Sequence, residues 1–164
     1  MNVEMKKQLL RLLSQDARMA VSDIAERLDV TEETVSAAIK ELEDANEIVG
    51  YCALIDESVL PEAAVKAIIE VKIRPERDGG FDRIARRLSK FPQVTSLYLM
   101  SGGFDLMVEV RGATLNDVAM FVSSKLATID GVISTSTAFQ LKRYKESGMI
   151  MQSDEEYERL KICF

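Results

Sequence analysis

VSDIAERLDVTEETVSAAIKELEDANEIVG, residues 21–50, holds two helical patterns separated by three residues, and that spacing decides the first half of the fold. From about Val21 to Leu28, Ile24 and Leu28 recur at i, i+4 and give a short amphipathic helix one apolar face. Asp29-Val30-Thr31 makes a tight turn, and aspartate tolerates a left-handed backbone better than most residues. Thr31 then caps a longer helix, Glu32 to about Ala45, with Val35, Ile39 and Leu42 on its inner side. Asn46 follows, where a helix end favours a left-handed residue. Two short helices across a three-residue turn, the second the longer, form a helix-turn-helix.

Upstream, Leu9, Leu10, Leu12 and Leu13 stripe a first helix that ends near Gln15-Asp16. Downstream, Ile48 to Ile55 is an apolar, β-branched run that reads as a wing or crossover strand. Residues 1–55 are thus predicted to be a winged helix-turn-helix domain, with 56–64, polar at first and broken by Pro61, as the linker.

From Val65 the period changes. Val65, Ala67, Ile69, Val71 and Ile73 alternate as in a strand; Phe81, Ile84, Ala85 and Leu88 mark a helix from about Gly80 to Lys90, stopped by Pro92. Val94–Met100 and Leu106–Val110 read as strands joined by the glycine turn Ser101-Gly102-Gly103-Phe104-Asp105. Thr114 starts a second helix marked by Leu115, Val118, Ala119, Val122 and Leu126, and Val132–Leu141 is a fourth strand. The order βαββαβ over 65–141 is the split-βαβ, ferredoxin-like plan, so the fold class is α+β. Residues 142–164 read as a charged tail with a Met149-Ile150-Met151 patch and room for a final helix. A four-stranded sheet with helices on one side only is predicted to bare an apolar face that requires a partner.

Composition limits the chemistry. The 164 residues contain no histidine, which removes the commonest general base and metal ligand along with every Ser-His and Cys-His pair. Cys52 and Cys163 are far apart and form no CxxC pair, so no metal site, cofactor or disulfide framework is implied. No apolar run approaches the ~18 residues of a membrane span, and the charged start carries no signal peptide, so a reduced cytoplasmic setting is expected. The net charge of −6 is concentrated: residues 1–50 hold eleven acidic and six basic side chains. Phosphate neutralisation normally supplies most of the affinity for nucleic acid, so one such lobe should hold a duplex weakly.

In these residues the chain resembles the Lrp/AsnC, or feast/famine, regulators across roughly positions 4 to 141. The resemblance rests on Leu9-Leu10-x-Leu12-Leu13 before Asp16-Ala17-Arg18, on Ile24-Ala25, and on Leu42-Glu43 leading into Ile48-Val49-Gly50-Tyr51. It extends to Val94–Asp105, whose turn is similar to the family's threonine-glycine-x-aromatic-aspartate, and to Gly131-Val132 with Thr135 and Thr137. It implies a non-enzymatic, cytoplasmic regulator that binds double-stranded DNA. It also implies homodimers through the C-terminal sheets that often assemble into octamers, and a small effector, usually an amino acid, bound near the glycine turn. Ala38 stands where the family commonly has arginine, Asp29 where it has glycine, and Ala20 where serine often caps the second helix.

On that reading the DNA-binding candidates are Thr31, Glu33, Thr34, Ser36, Ala37 and Lys40. Thr34 and Ser36 suit base edges or phosphate, Lys40 suits phosphate, and the glutamates near the helix start suit its dipole by about 0.3–1 kcal/mol each. The effector candidates are Met100, Ser101, Gly102, Gly103, Phe104, Asp105, Thr135 and Ser136. Successive N–H groups at Gly102 and Gly103 suit a carboxylate, and Asp105 suits an ammonium. The same turn is equally well explained as a plain glycine hairpin. Arg83, Arg86, Arg87 and Lys90 form a basic run whose plainest meaning is a solvated helix face. Two other functions fit the same outline. One is a sensor or adaptor with weakened DNA binding, which the acidic lobe and Ala38 favour. The other is an enzyme, since sirohaem decarboxylases share the architecture, but that chemistry is understood to rely on histidine.

Overall fold

The structure is a computed structural model, and it describes residues 2–57, 64–74 and 80–151. The chain divides into two compact units, Met1–Leu54 and Ile55–Phe164. Among the described residues no helix is long and apolar enough to cross a membrane.

The N-terminal unit is three helices, α1 (Val3–Gln15), α2 (Val21–Leu28) and α3 (Glu32–Asp44). Asn2 caps α1 by accepting the N–H of Glu4, and Thr31 caps α3 by accepting that of Thr34. Asp29 ends α2 with φ 53° and ψ 51°, so the left-handed turn is made by the residue the sequence offered for it. Asn46 does the same after α3, at φ 54°. Leu9, Ile24, Ala25, Val35, Ala38 and Leu42 form the core. The inner stripe of α3 is therefore Val35, Ala38 and Leu42, whereas Ile39 is only partly buried. Ala38, 4% exposed, is a core residue and not an outward position awaiting an arginine.

The predicted wing strand does not form. Residues 48–55 pair with no other strand among the described residues, and Val49 is 91% exposed. The run is held instead by side chains: Ile48 leans on the helical core, and the Tyr51 hydroxyl donates to Glu43 Oε1 at 2.8 Å. That hydrogen bond to a carboxylate also raises the Tyr51 pKa. β propensity without a neighbouring backbone gives an extended segment and no sheet.

The C-terminal unit has the order β1 (Val65–Ile73), α4 (Gly80–Leu88), β2 (Val94–Leu99), β3 (Leu106–Gly112), α5 (Leu115–Phe121), β4 (Val132–Phe139). All strand pairs are antiparallel, in the spatial order β2-β3-β1-β4. Thr114 and Asp117 close a reciprocal capping box at the start of α5. Val122–Leu126 continues that helix as one π-helical turn, where the hydroxyls of Ser123 and Ser124 donate back to carbonyls of the preceding turn. Ala67, Ile69, Val71, Ile73, Leu106, Val108 and Val110 point one way and bury against Ile84, Leu88, Val118, Phe121 and Leu126. The alternation in β1 and β3 thus accounts for the helix-covered face.

The other face departs from expectation. It is mixed, not apolar: Ile68, Tyr98 and Met107 share it with Lys66, Glu70, Lys72, Glu109 and Arg111. Beyond β4, which ends two residues before the expected Leu141, a small hairpin pairs β5 (Lys145–Glu146) with β6 (Met149–Ile150). Its turn residues Ser147 and Gly148 both have positive φ, 44° and 85°. The expected final helix and Cys163 lie outside the described residues.

Candidate nucleic-acid interface and glycine turn

Burying Val35, Ala38 and Leu42 turns the opposite side of α3 to solvent. Thr31, Glu33, Thr34, Ser36, Ala37 and Lys40 are all exposed. Glu33, Ala37 and Lys40, spaced i, i+4, i+7, share one face. The two threonines are partly committed to local structure. Their hydroxyls lie 3.1 Å apart, and Thr31 Oγ1 also accepts the Thr34 N–H at 3.3 Å. A hydrogen bond from its own backbone N–H, then the Thr31 hydroxyl, holds the Glu33 carboxyl below its ordinary value. An open groove of about 400 Å³ runs beside this face, lined by Met5 of α1 and by Glu33, Thr34, Ala37, Ala38 and Glu41 of α3.

Within this unit Lys6 pairs with Glu47 across α1 and the end of α3, so one of the few cations is already neutralised. Lys40 makes no ion pair among the described residues and offers its ammonium to solvent. The exposed face of α3 therefore presents one free cation between Glu33 and Glu41.

The glycine turn closes β2 onto β3 through a bond from Met100 N–H to the Asp105 carbonyl, 2.8 Å. Gly102 has φ 155°, a conformation that disfavours any side chain, whereas Gly103 does not need its glycine for backbone reasons. A Cβ at either would meet nothing within 4 Å. Their N–H groups make no hydrogen bond among the described residues and lie at the exposed tip. Phe104 and Asp105 are half-buried at its base. Asp105 reaches sideways into the neighbouring strand: Oδ2 accepts the N–H of Ile73 at 2.7 Å, and its own N–H donates to Val71 O at 3.0 Å.

Thr135 and Ser136 do not complete this turn within one chain. Thr135 pairs with Val71, and Val71 with Leu106, so β1 stands between β4 and the turn. Two strand spacings separate the backbones by roughly 10 Å. Alternation then sends Thr135 to the helix-covered face and Ser136 to the open one, beside Glu70. Sequence reasoning missed the tie from Asp105 to Ile73, because no local pattern reports a side chain bonding 32 positions away.

Comparison with known proteins bears on both units. Residues 4–48 match the family described as winged helix-turn-helix DNA-binding, and residues 66–150 match the Lrp/AsnC ligand binding domain. The chain is 39% identical over 160 residues to the uncharacterized HTH-type transcriptional regulator YugG of Bacillus subtilis, covering 97% of this chain and 96% of that protein. It is 34% identical over 142 residues to the HTH-type transcriptional regulator LrpA of Pyrococcus horikoshii, covering 87% and 98%. The solved structure of the transcriptional regulator NMB0573/L-Met complex of Neisseria meningitidis aligns with a TM-score of 0.66 at 25% identity, over 89% of this chain and 94% of that one.

Proposed function

Because the chain belongs to the Lrp/AsnC family of DNA-binding transcriptional regulators with a ligand-binding domain, we propose that its effector is an amino acid held at the β2–β3 turn. The observation that carries this reading is the pairing of two exposed, unbonded N–H groups at Gly102 and Gly103 with a carboxylate at Asp105. An α-amino acid carries a carboxylate and an ammonium on one carbon, and the turn offers a donor pair for the first and an acceptor for the second. The related NMB0573 was solved with L-Met, which supports the ligand class. Met100, Ser101 and Phe104 flank the turn and would contact the side chain. Thr135 and Ser136 belong to this site only if β4 of a second copy approaches it, so the reading requires a homodimer or larger assembly.

Thr31, Glu33, Thr34, Ser36, Ala37 and Lys40 are proposed as the face that meets the duplex. Lys40 contacts phosphate, and Ser36 and Ala37 lie against base edges. With one free cation on that face, each lobe neutralises few phosphates, and useful affinity comes from two or more lobes bound at once.

The test is a thermal-shift screen of the twenty amino acids, followed by titration of one- and two-site DNA with and without the hit. A selective stabilisation that also changes DNA affinity supports the reading. No stabilisation by any amino acid removes the effector assignment, and no affinity gain from a second DNA site removes the avidity argument.

A further inference from the structure

Three cations converge on one carboxylate just where the C-terminal unit begins. Glu57 Oε1 lies 2.6 Å from Lys66 Nζ and 3.7 Å from an Arg111 nitrogen, and Oε2 lies 3.9 Å from Arg143. Arg143 also donates to the carbonyl oxygen of Ile55 at 3.1 Å and stands 3.9 Å from Glu146. These groups come from separate parts of the chain: Glu57 before β1, Lys66 on β1, Arg111 on β3, and Arg143 after β4.

The register explains why a counter-charge belongs there. Lys66 and Arg111 are direct cross-strand partners, so their side chains rise side by side from the open face of the sheet. Two adjacent cations repel, and Glu57 relieves them. The hydrogen bond from Lys66, followed by the charges of Lys66, Arg143 and Arg111, holds the Glu57 carboxyl below its ordinary value despite some burial. Isolated surface pairs contribute little, but three cations sharing one half-buried carboxylate form a network.

We propose that this cluster is an electrostatic latch that pins Ile55–Glu57 to the sheet and so fixes the anchor of the tether to the N-terminal unit, which ends at Leu54. With the latch closed, the chain is held to the sheet from Ile55 onward. With it open, the hold on Ile55–Glu57 is lost and each lobe gains reach. Reach sets the effective concentration of a second lobe at a second site. The closed latch therefore enforces half-site spacing, a consequence that rests on the DNA-binding reading; the open latch relaxes it.

The test uses the full chain with Cys163→Ser and a nitroxide on the exposed Cys52, three residues before Ile55. Glu57→Gln keeps the shape of the side chain and removes its charge; Arg143→Gln opens the same cluster from the other side. Wild type is expected to show a restricted spectrum at 50 mM salt and a growing mobile component towards 1 M. Both variants are expected to show the mobile component already at 50 mM, with little further salt response and an unchanged circular-dichroism spectrum. Tolerance of a half-turn spacing change in two-site DNA should rise at least fivefold in Glu57→Gln. The nitroxide reports the freedom of the chain just ahead of the latch without DNA, so failure of the DNA reading leaves its result standing. Equal mobility and equal salt response in wild type and both variants overturn the latch.

Discussion

Asp105 ends the glycine turn and Ile73 ends β1, and a 2.7 Å hydrogen bond from the Ile73 N–H to Asp105 Oδ2 joins them. One carboxylate oxygen thus holds the hairpin beside the central strand. The other is left open to an ammonium.

This divides the residue's two roles between two substitutions. Asp105→Asn keeps an oxygen for the Ile73 N–H and loses the charge, so amino-acid affinity should fall at least tenfold with little change in stability. Asp105→Ala loses both and should also cost about 1–3 kcal/mol of stability, the penalty of an unsatisfied backbone donor. Denaturant unfolding and ligand-induced thermal shift, measured on both variants, check the division.

A side chain at Gly103 enters open space, and one at Gly112 does not. Gly103→Val should leave stability within about 0.5 kcal/mol of wild type and abolish the ligand-induced shift. Gly112→Ala would place its Cβ 3.0 Å from Val118 Cγ2, so it should cost about 1–3 kcal/mol and leave the ligand response per folded molecule intact. Unfolding curves with and without ligand distinguish the two patterns.

Adjacent alanines on α3 should behave in opposite ways. Ala37→Arg adds a cation to the exposed face and should strengthen binding to any DNA sequence while steepening its salt dependence by about one unit. Ala38→Arg starts from a buried Cβ beside the open groove, so its stem crowds the core and should cost about 1–3 kcal/mol of stability while the guanidinium leaves through the groove. Lys40→Glu should weaken binding more on two-site than on one-site DNA, because the repulsion recurs at every lobe. Fluorescence-anisotropy titrations at two salt concentrations measure the binding changes, and denaturant unfolding measures the cost of Ala38→Arg.

The latch carries its own pH dependence. Glu57 has a folded pKa below its ordinary value, so its contribution is complete above the unfolded pKa, about 4.3, and is lost as pH falls through the depressed folded value. Mobility at Cys52 should therefore rise in wild type only in acid below about pH 4.3, as pH falls through the depressed Glu57 pKa, and Glu57→Gln should show no such step.

Local chemistry was readable wherever one residue type serves one backbone need. Asp29, Asn46, Thr31 and Thr114 stand at the turns and caps where their side chains belong, and period-two burial placed β1 on its correct face. Tertiary choices were not readable. Ala38 and Ile39 are neighbours with similar claims on the inner stripe, and the packing of the three helices buries Ala38 while leaving Ile39 partly exposed at the edge of the same core. Residues 48–55 carry strand propensity, yet a strand needs a partner backbone that no sequence window can promise. The glycine turn was legible as a turn. What its aspartate holds, and where β4 stands relative to it, are settled by strand order alone.

The exposed acids around Lys40 also govern the kinetics of the encounter. A lobe with five more negative than positive charges meets a rising repulsive potential as it nears a duplex, so the first collision is slow at low ionic strength. Added salt screens that barrier over a Debye length of about 10 Å at 0.1 M, and it weakens the few close phosphate contacts as well. Association should thus accelerate with salt while dissociation accelerates too, so occupancy turns over quickly at nearly constant level. Such a regulator exchanges readily between sites, and its residence time is set by how many lobes are down at once.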